Sequence, residues 1–108
     1  MTKITFYQRG DGTFQGFDSR DHAGYGEEGQ DLVCAAVSAL VINFVNSLDE
    51  LTEDQYQIEV NQETAEINVV FTEELSLEGS LLLRSLILGL TSIEKEQEQY
   101  LDVIFKEV

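Results

Sequence analysis

The chain contains no proline, one cysteine, one histidine and only six lysine and arginine residues in 108 positions. A single cysteine cannot form a disulfide within the chain, which is typical of proteins in a reducing compartment. No apolar run approaches the roughly 18 residues that a membrane-spanning helix needs, and the first residues lack the hydrophobic stretch of a signal peptide. The sequence therefore predicts a cytoplasmic protein without a membrane partner.

The composition is nonetheless that of a folded protein. Hydrophobic residues make up 43% of the chain and charged residues 25%, which suits a packed interior with a charged surface. A chain of this size buries about two-thirds of the surface that it exposes when unfolded, so a core can form without disulfides. We expect one domain over residues 1–108.

The shortage of positive charge is concentrated in one part of the chain. Between Asp21 and Leu83 there is no lysine or arginine, whereas fourteen residues are acidic, and the net charge of the whole chain is −15. Phosphate contacts need cationic side chains, so nucleic acid is a poor partner. Two interpretations of the acidic stretch remain open: it steers a basic partner to the protein, or it only keeps the protein soluble.

Hydrophobic periodicity predicts five strands and two helices. Because proline is absent, glycine and polar clusters mark the turns, and Asp11-Gly12 indicates a hairpin between the first two strands. Gly16, within the second strand, predicts a bulge or a close backbone approach. The strands are predicted around residues 3–6, 13–18, 56–60, 65–71 and 101–105, and the helices over 31–49 and 76–98. The order ββαββαβ predicts an α+β fold, with two helices packed on one mixed or antiparallel sheet.

Residues 21–30 differ from the rest because they contain three glycines and almost nothing to bury. We expect a mobile loop here. Asp31 is the predicted N-cap of the first helix, since its carboxylate can accept a hydrogen bond from a backbone N–H of the first turn. With Asp31 as the cap, Cys34 would be the third residue of the helix.

His22 and Cys34 are the residues that could carry chemistry, and they lie twelve positions apart. The start of a helix stabilises a thiolate through its partial positive charge and its unpaired N–H groups, and the thiolate is the nucleophile. A nearby imidazole would act as base and then as acid. The same N–H groups could hold the oxyanion of a tetrahedral intermediate, while the glycine loop closes over a bound peptide.

Ordinary structural roles compete with this interpretation. A cysteine in apolar sequence is usually a small core residue, and a lone histidine on a loop is usually solvated. Cys34 could also be a redox-sensing thiol, which needs the same position at a helix start. One cysteine, one histidine and Asp31 make too few ligands for a zinc site, so we expect no metal and no cofactor.

One block of residues carries a family resemblance. It runs from His22-Ala23-Gly24-Tyr25-Gly26 through Gly29 and Asp31 to the sequence Val-Cys-Ala-Ala-Val-Ser-Ala-Leu at 33–40. This block resembles the ribosomal-processing cysteine protease family (Prp). The likeness extends over essentially the whole chain in length and element order, but only the block is specific.

The resemblance implies a function. Members of this family remove a short N-terminal extension from large-subunit ribosomal protein number twenty-seven, cutting just after a pair of phenylalanines. They are α+β homodimers with a catalytic histidine and cysteine, which map onto His22 and Cys34. The substrate would then be the N-terminal tail of a ribosomal protein, and its basic character would suit the acidic stretch.

Other positions of the block would have supporting roles. Gly24, Tyr25, Gly26 and Gly29 would form the mobile substrate loop. Asp31 could orient His22. Ser38 lies one turn beyond Cys34 and could hydrogen-bond the substrate or the loop, or simply bond to the preceding turn of its own helix.

The chain departs from the family at one position. The family usually has glycine just before the histidine, whereas this chain has Asp21. Aspartate is among the few residues that tolerate a positive φ, and its charge could alter the pKa of His22. Two other functions remain open from the residues alone: a non-catalytic ribosome-associated binding module and a thiol redox sensor.

Overall fold

The computed structural model describes residues 1–21 and 28–108. These residues form five strands and two helices in the order ββαββαβ, which confirms the predicted fold class. The strands are β1 Thr2–Gln8, β2 Phe14–Asp21, β3 Tyr56–Asn61, β4 Glu66–Phe71 and β5 Leu101–Glu107, and the helices are α1 Glu28–Leu51 and α2 Leu77–Glu96.

The strands form one mixed sheet in the order β3-β4-β2-β1-β5. All neighbours are antiparallel except β1 and β5, which run parallel. One face of the sheet and both helices enclose the core, because alternate strand residues and every third or fourth helix residue are apolar. The buried core comprises Ile4, Phe6, Phe17, Val33, Val37, Val41, Phe44, Leu48, Val69, Phe71, Leu83, Leu86, Leu90 and Leu101. The opposite face of the sheet carries mainly polar and charged side chains.

The β1–β2 hairpin contains both of the features predicted at Gly16. The register shifts next to Tyr7, so that Tyr7 pairs with Gly16 and Gln8 pairs with Phe14, which is a bulge. A side chain at Gly16 would overlap the carbonyl oxygen of Val69 on the neighbouring strand. The second strand continues to Asp21, three residues further than the alternation predicted.

Helix α2 begins with a hydrogen-bonded cap. Ser76 is the N-cap, and its Oγ accepts a hydrogen bond from the backbone N–H of Gly79 at 3.0 Å. Asp54 in turn accepts hydrogen bonds from the Ser76 Oγ at 2.8 Å and from the Ser76 N–H at 3.1 Å. Asp54 lies in the segment that joins α1 to β3. Its charged carboxylate therefore holds the start of α2 against that segment.

Helix α1 begins earlier than predicted. It includes Glu28, Gly29 and Gln30, so Asp31 is not its N-cap, and Cys34 is its seventh residue rather than its third. Tertiary contacts explain the difference, since they outweigh the low helix propensity of glycine. The Gln30 Nε2 donates to the Thr2 Oγ1 at 3.1 Å, and Gly29 lies against the ring of Tyr100.

The prediction that no apolar run approaches membrane-spanning length is wrong for this helix. Gly29–Leu51 is long and apolar enough to cross a membrane by length and composition, with a mean hydropathy of 1.7. One such helix is weak evidence, because the core helix of a soluble protein passes the same test. Val37, Val41 and Leu48 on α1 are buried against the sheet, which accounts for part of this apolar character.

The β3–β4 hairpin turns one residue later than expected. Ala65, placed in a strand by its alternation with Glu66, has a φ of 55° and belongs to the turn. The Asn61 Oδ1 accepts hydrogen bonds from the backbone N–H groups of Glu63 and Thr64 at 3.0 and 3.3 Å. Because Ala65 has this left-handed backbone conformation, it cannot continue a strand, and β4 begins at Glu66, which pairs with Asn61.

Candidate active site

Cys34 lies in the second turn of α1 and is half-buried. At 3.6 residues per turn, Cys34 shares one side of the helix with Ser38, Val45 and Asp49. Ser38 is half-buried like Cys34, and Asp49 is exposed. The row of residues from Cys34 to Asp49 therefore lies along the border of the buried face of α1, and not along the centre of that face.

Two hydrogen bonds fix the direction of α1 across the sheet. Near its start, Gln30 bonds to Thr2 of β1. Near its end, Asp49 Oδ1 accepts a hydrogen bond from the Tyr56 Oη of β3 at 3.2 Å. The helix thus crosses the sheet diagonally, from β1 at one end to the edge strand β3 at the other.

The opposite flank of α1 faces the second helix. Leu40 packs closely against Gly89 of α2. A Cβ atom added at Gly89 would lie 3.1 Å from the Leu40 Cδ1. Gly29, on the same flank, lies against Tyr100 just before β5. Since Leu40 and Gly29 face α2 and β5, the flank with Cys34 faces the other way, towards β4 and β3.

The candidate site residues fall into two groups. Asp31, Cys34 and Ser38 follow one another at helical spacing along α1, so the structure brings these three to one side of the helix. Gly29, expected in the mobile loop, is helical. The remaining candidates lie outside the described residues: His22, Gly24, Tyr25 and Gly26.

Because α1 begins at Glu28, the backbone N–H groups around Cys34 are not the oxyanion donors that the sequence suggested. The backbone N–H of a seventh helical residue is used within the helix, because only the first four N–H groups lack a partner there. Donors from α1 would come from residues 28–31, a full turn before Cys34. The partial positive charge of the helix start still favours a thiolate, but it weakens beyond the first turn.

No metal centre accompanies these residues in the described part of the chain, where no group of three His, Cys, Asp or Glu side chains could hold an ion. The perturbed pKa values belong to other positions. Burial, and then the hydrogen bond to Asp49, raise the pKa of Tyr56 above 10.0. The hydrogen bond to Asp18, burial and the Asp18 charge raise the pKa of Tyr7 on the polar face of the sheet.

Comparisons of sequence identify relatives of this chain. A family model described as cysteine protease Prp matches residues 1–102. The ribosomal processing cysteine protease Prp of Bacillus subtilis is 30% identical over 107 residues, which span 95% of this chain and 96% of that protein. The protein with the same description from Staphylococcus aureus is 28% identical over 85 residues, which span 79% of this chain and 80% of that protein.

Solved structures share the fold. The S. aureus ribosomal processing protease Prp, in complex with a substrate peptide, superposes with a TM-score of 0.92 at 24% identity, covering 98% of this chain and 100% of that chain. A structure from Streptococcus mutans gives a TM-score of 0.88 at 25% identity, covering 100% of this chain and 99% of that chain. The mixed sheet with two helices is therefore the architecture of these proteins as well.

Proposed function

The chain belongs to the cysteine protease Prp family, and from that premise we propose that it removes the N-terminal extension of large-subunit ribosomal protein number twenty-seven by cutting after an aromatic pair. The observation that carries the proposal is the position of Cys34. It is the one cysteine of a chain that matches a cysteine protease family over residues 1–102, and it lies half-buried on the flank of α1 that faces away from α2.

The proposed reaction is acyl transfer. The Cys34 thiolate attacks the scissile carbonyl carbon and forms a C–S bond, while His22 gives a proton to the departing amine as the C–N bond breaks. Water then attacks the thioester, His22 accepts a proton from it, and the thiolate leaves. The reaction needs no metal or cofactor, since Cys34 and His22 supply the nucleophile and every proton transfer.

The support for a peptide substrate comes from relatives. Structures of the S. aureus protease hold a substrate peptide in one case and a covalently linked product peptide in another. For this chain we infer a peptide that is basic around the cleavage site, because residues 21–83 carry no lysine or arginine. Ser38, which lies one helical turn beyond Cys34, is the candidate to bond the peptide backbone, and Asp31 is the candidate to orient His22.

A homodimer is part of the same proposal, and the outward surface of the two helices supports it. Leu32 and Ile42 on α1, and Leu77, Leu81 and Leu88 on α2, are each more than half exposed. The segment 32–48 also contains no charged residue. In a chain with a net charge of −15, the uncharged segment of α1 is where electrostatic repulsion least opposes the approach of a second copy.

Light scattering coupled to size-exclusion chromatography tests the dimer. The wild-type protein should elute with the mass of two chains, and Leu81→Glu should shift it to one. Leu81→Met is the matched control and should stay dimeric. A wild type that remains monomeric at high micromolar concentration would contradict a homodimer.

The decisive test of the function uses the host's own ribosomal-protein extension as a synthetic peptide. Mass spectrometry should show cleavage after the aromatic pair by the wild type and no product from Cys34→Ala or His22→Ala, with circular dichroism confirming that both variants are folded. Turnover retained in Cys34→Ala would overturn the proposal. Peptide binding without cleavage by the wild type would indicate a binding module instead, and reversible thiol oxidation without peptidase activity a redox sensor.

A further inference from the structure

A buried polar pair ties the start of α1 to the sheet. The Gln30 Nε2 donates a hydrogen bond of 3.1 Å to the Thr2 Oγ1, and the two residues are 7% and 1% exposed. In the described part of the chain, the buried polar residues are Thr2, Gln30 and Ser19, so two of the three meet at this contact. Stability alone does not require such a pair, because apolar groups of the same shape can replace both partners at little cost.

Thr2 is itself held by its neighbours in the sheet. It pairs with Asp21 of β2 on one side and with Leu101 of β5 on the other. Its backbone N–H also donates to the Tyr100 carbonyl at 2.9 Å, and the ring of Tyr100 lies against Gly29. Thr2 is thus a fixed point of β1, to which other segments can be attached.

The segment 22–27 is attached to Thr2 at both of its ends. On one side, Asp21 is the last residue of β2 and pairs with Thr2 in an antiparallel ladder, where paired Cα atoms lie about 4.5–5.5 Å apart. On the other side, Gln30 in the first turn of α1 bonds to the Thr2 hydroxyl. The end of β2 and the start of α1 are therefore brought to the same residue.

The two candidate catalytic residues lie next to these attachment points. His22 directly follows Asp21 in the chain, and Cys34 lies one helical turn beyond Gln30 on the same side of α1. At 1.5 Å per residue, the backbone of Cys34 is about 6 Å further along the helix axis than that of Gln30. A shift of α1 relative to Thr2 would therefore move the thiol relative to the end of β2.

A hydrogen bond opposes such a shift more specifically than apolar packing does. Hydrophobic contact is non-directional, whereas a hydrogen bond weakens steeply when its length or its angle departs from the favoured values. The first turn of α1 needs such a restraint, because it contains Gly29, whose low helix propensity favours fraying.

We propose that Thr2 and Gln30 are positioning residues of the protease: their hydrogen bond fixes the start of α1 on β1 and so sets the separation between the Cys34 thiol and the His22 imidazole. The inference rests on the proposed function and adds to it two buried residues that act through the catalytic pair. Small displacements are sufficient for a large effect, since a misplacement of about 1 Å can cost about 100-fold in rate.

Kinetics of a variant with the same side-chain shape test the role. Thr2→Val keeps the β-branched shape and removes the acceptor oxygen. We expect kcat to fall about 10- to 100-fold while KM stays within about twofold of the wild-type value, because contacts with the substrate are unchanged. Thr2→Ser retains the hydroxyl and should restore most of the lost kcat. Unchanged kcat in Thr2→Val would overturn the inference and leave the protease activity standing.

The matched control is Ser76→Ala. It removes another half-buried, hydrogen-bonded hydroxyl, but at the start of α2, beyond the far end of α1. It should lower the urea midpoint and leave kcat unchanged, since loss of a helix cap costs stability without moving Cys34. A kcat that falls as far in Ser76→Ala as in Thr2→Val would mean that general destabilisation explains both results.

The double variant Thr2→Val/Gln30→Met separates positioning from stability. It removes both polar partners, so its urea midpoint should lie closer to that of the wild type than the midpoint of Thr2→Val does. Its kcat should remain as low as in Thr2→Val, because no directional bond then restrains the start of α1. Recovery of kcat together with the urea midpoint would assign the bond to stability only and overturn the inference.

Alkylation of Cys34 by iodoacetamide tests the same pair without any peptide. The reaction rate follows the thiolate, so a nearby imidazolium moves its pH profile to lower pH than that of an ordinary cysteine. Thr2→Val and His22→Ala should each move the profile back, and the two together should move it no further than His22→Ala alone. Additive shifts, or a wild-type profile that neither variant changes, would overturn the inference. If these shifts occur but the wild type cleaves no peptide, the proposed function fails and the positioning role of Thr2 and Gln30 stands.

Discussion

The hydroxyl of Tyr56 donates a hydrogen bond of 3.2 Å to the Asp49 carboxylate and so joins the end of α1 to the edge strand β3. Because Asp49 shares its side of the helix with Cys34, this one contact establishes which way the thiol faces. The contact marks one end of the diagonal path of α1, and that path leaves the far end of β3 uncovered.

Removal of that bond should cost little stability. Tyr56→Phe keeps the ring and loses only the hydroxyl, and the Asp49 carboxylate is exposed and can bond to water. We expect a decrease of about 0.5–1 kcal/mol in the free energy of unfolding, measured by urea denaturation. Asp49→Asn, which retains an acceptor oxygen, should lose less than Tyr56→Phe. A larger loss in Asp49→Asn would mean that the charge, and not the hydrogen bond, is what matters at this contact.

Two glycines of α2 should respond in opposite ways to alanine. A methyl group at Gly79 would overlap the Asp54 Oδ2 and disturb the Ser76 cap, whereas at Gly89 it would meet only the flexible end of Leu40 at 3.1 Å. We expect Gly79→Ala to lower stability by about 1–2 kcal/mol. Gly89→Ala should be neutral or raise stability by up to about 1 kcal/mol through its helix propensity. Equal urea midpoints for the two variants would contradict the packing described at Asp54.

Alkaline pH should destabilise the protein through Tyr7. Its Oη donates to the Asp18 Oδ2 at 2.8 Å, and this bond, with burial, raises the pKa of Tyr7 above the ordinary 10.0. A raised folded-state pKa contributes stability that is complete below pH 10 and is lost as pH rises through the folded value. Thermal melts should therefore shift downward above pH 10. Tyr7→Phe should be less stable than the wild type at pH 8 and should show a shallower decline above pH 10.

Salt should slow cleavage of a basic peptide. The chain has 21 acidic residues against six basic ones, so its field attracts a cationic tail and raises the association rate. We expect kcat/KM to fall by about 3- to 10-fold between 50 and 500 mM sodium chloride, because added ions screen this attraction. A peptide with glutamine at its basic positions is the control and should be cleaved at a rate that salt hardly changes. A basic peptide with a salt-independent rate would leave solubility as the role of the acidic surface.

Periodicity was sufficient for the element order and the core of this fold. Val37, Phe44 and Leu48 recur at helical spacing and are buried, and the alternation at Ile4 and Phe6 gives a strand with the same residues facing inward. Both patterns depend only on which side of an element meets the core. The family resemblance, in turn, was confirmed by the match over residues 1–102.

The start of α1 and the exposure of Ile58 and Val60 could not be predicted from the sequence, because both depend on contacts between distant segments. Gln30 and Gly29 become helical because Thr2 and Tyr100, distant in sequence, contact them. Ile58 and Val60 have the alternation of buried residues, and only the number of helices relative to strands leaves them exposed. Contacts between distant segments decide such features, whereas local patterns do not encode them.

The parallel pair of β1 and β5 has a consequence for the protein's own synthesis. β1 is made first, but one of its edges has no partner until β5 leaves the ribosome, since Thr2 pairs with Leu101. Tyr100, which lies against Gly29 at the start of α1, arrives equally late. We expect nascent chains stalled before residue 100 to be sensitive to added proteases and inactive, because β1 and the start of α1 then lack the partners that β5 and Tyr100 supply. Such a polypeptide would acquire its activity only after β5 has left the ribosome.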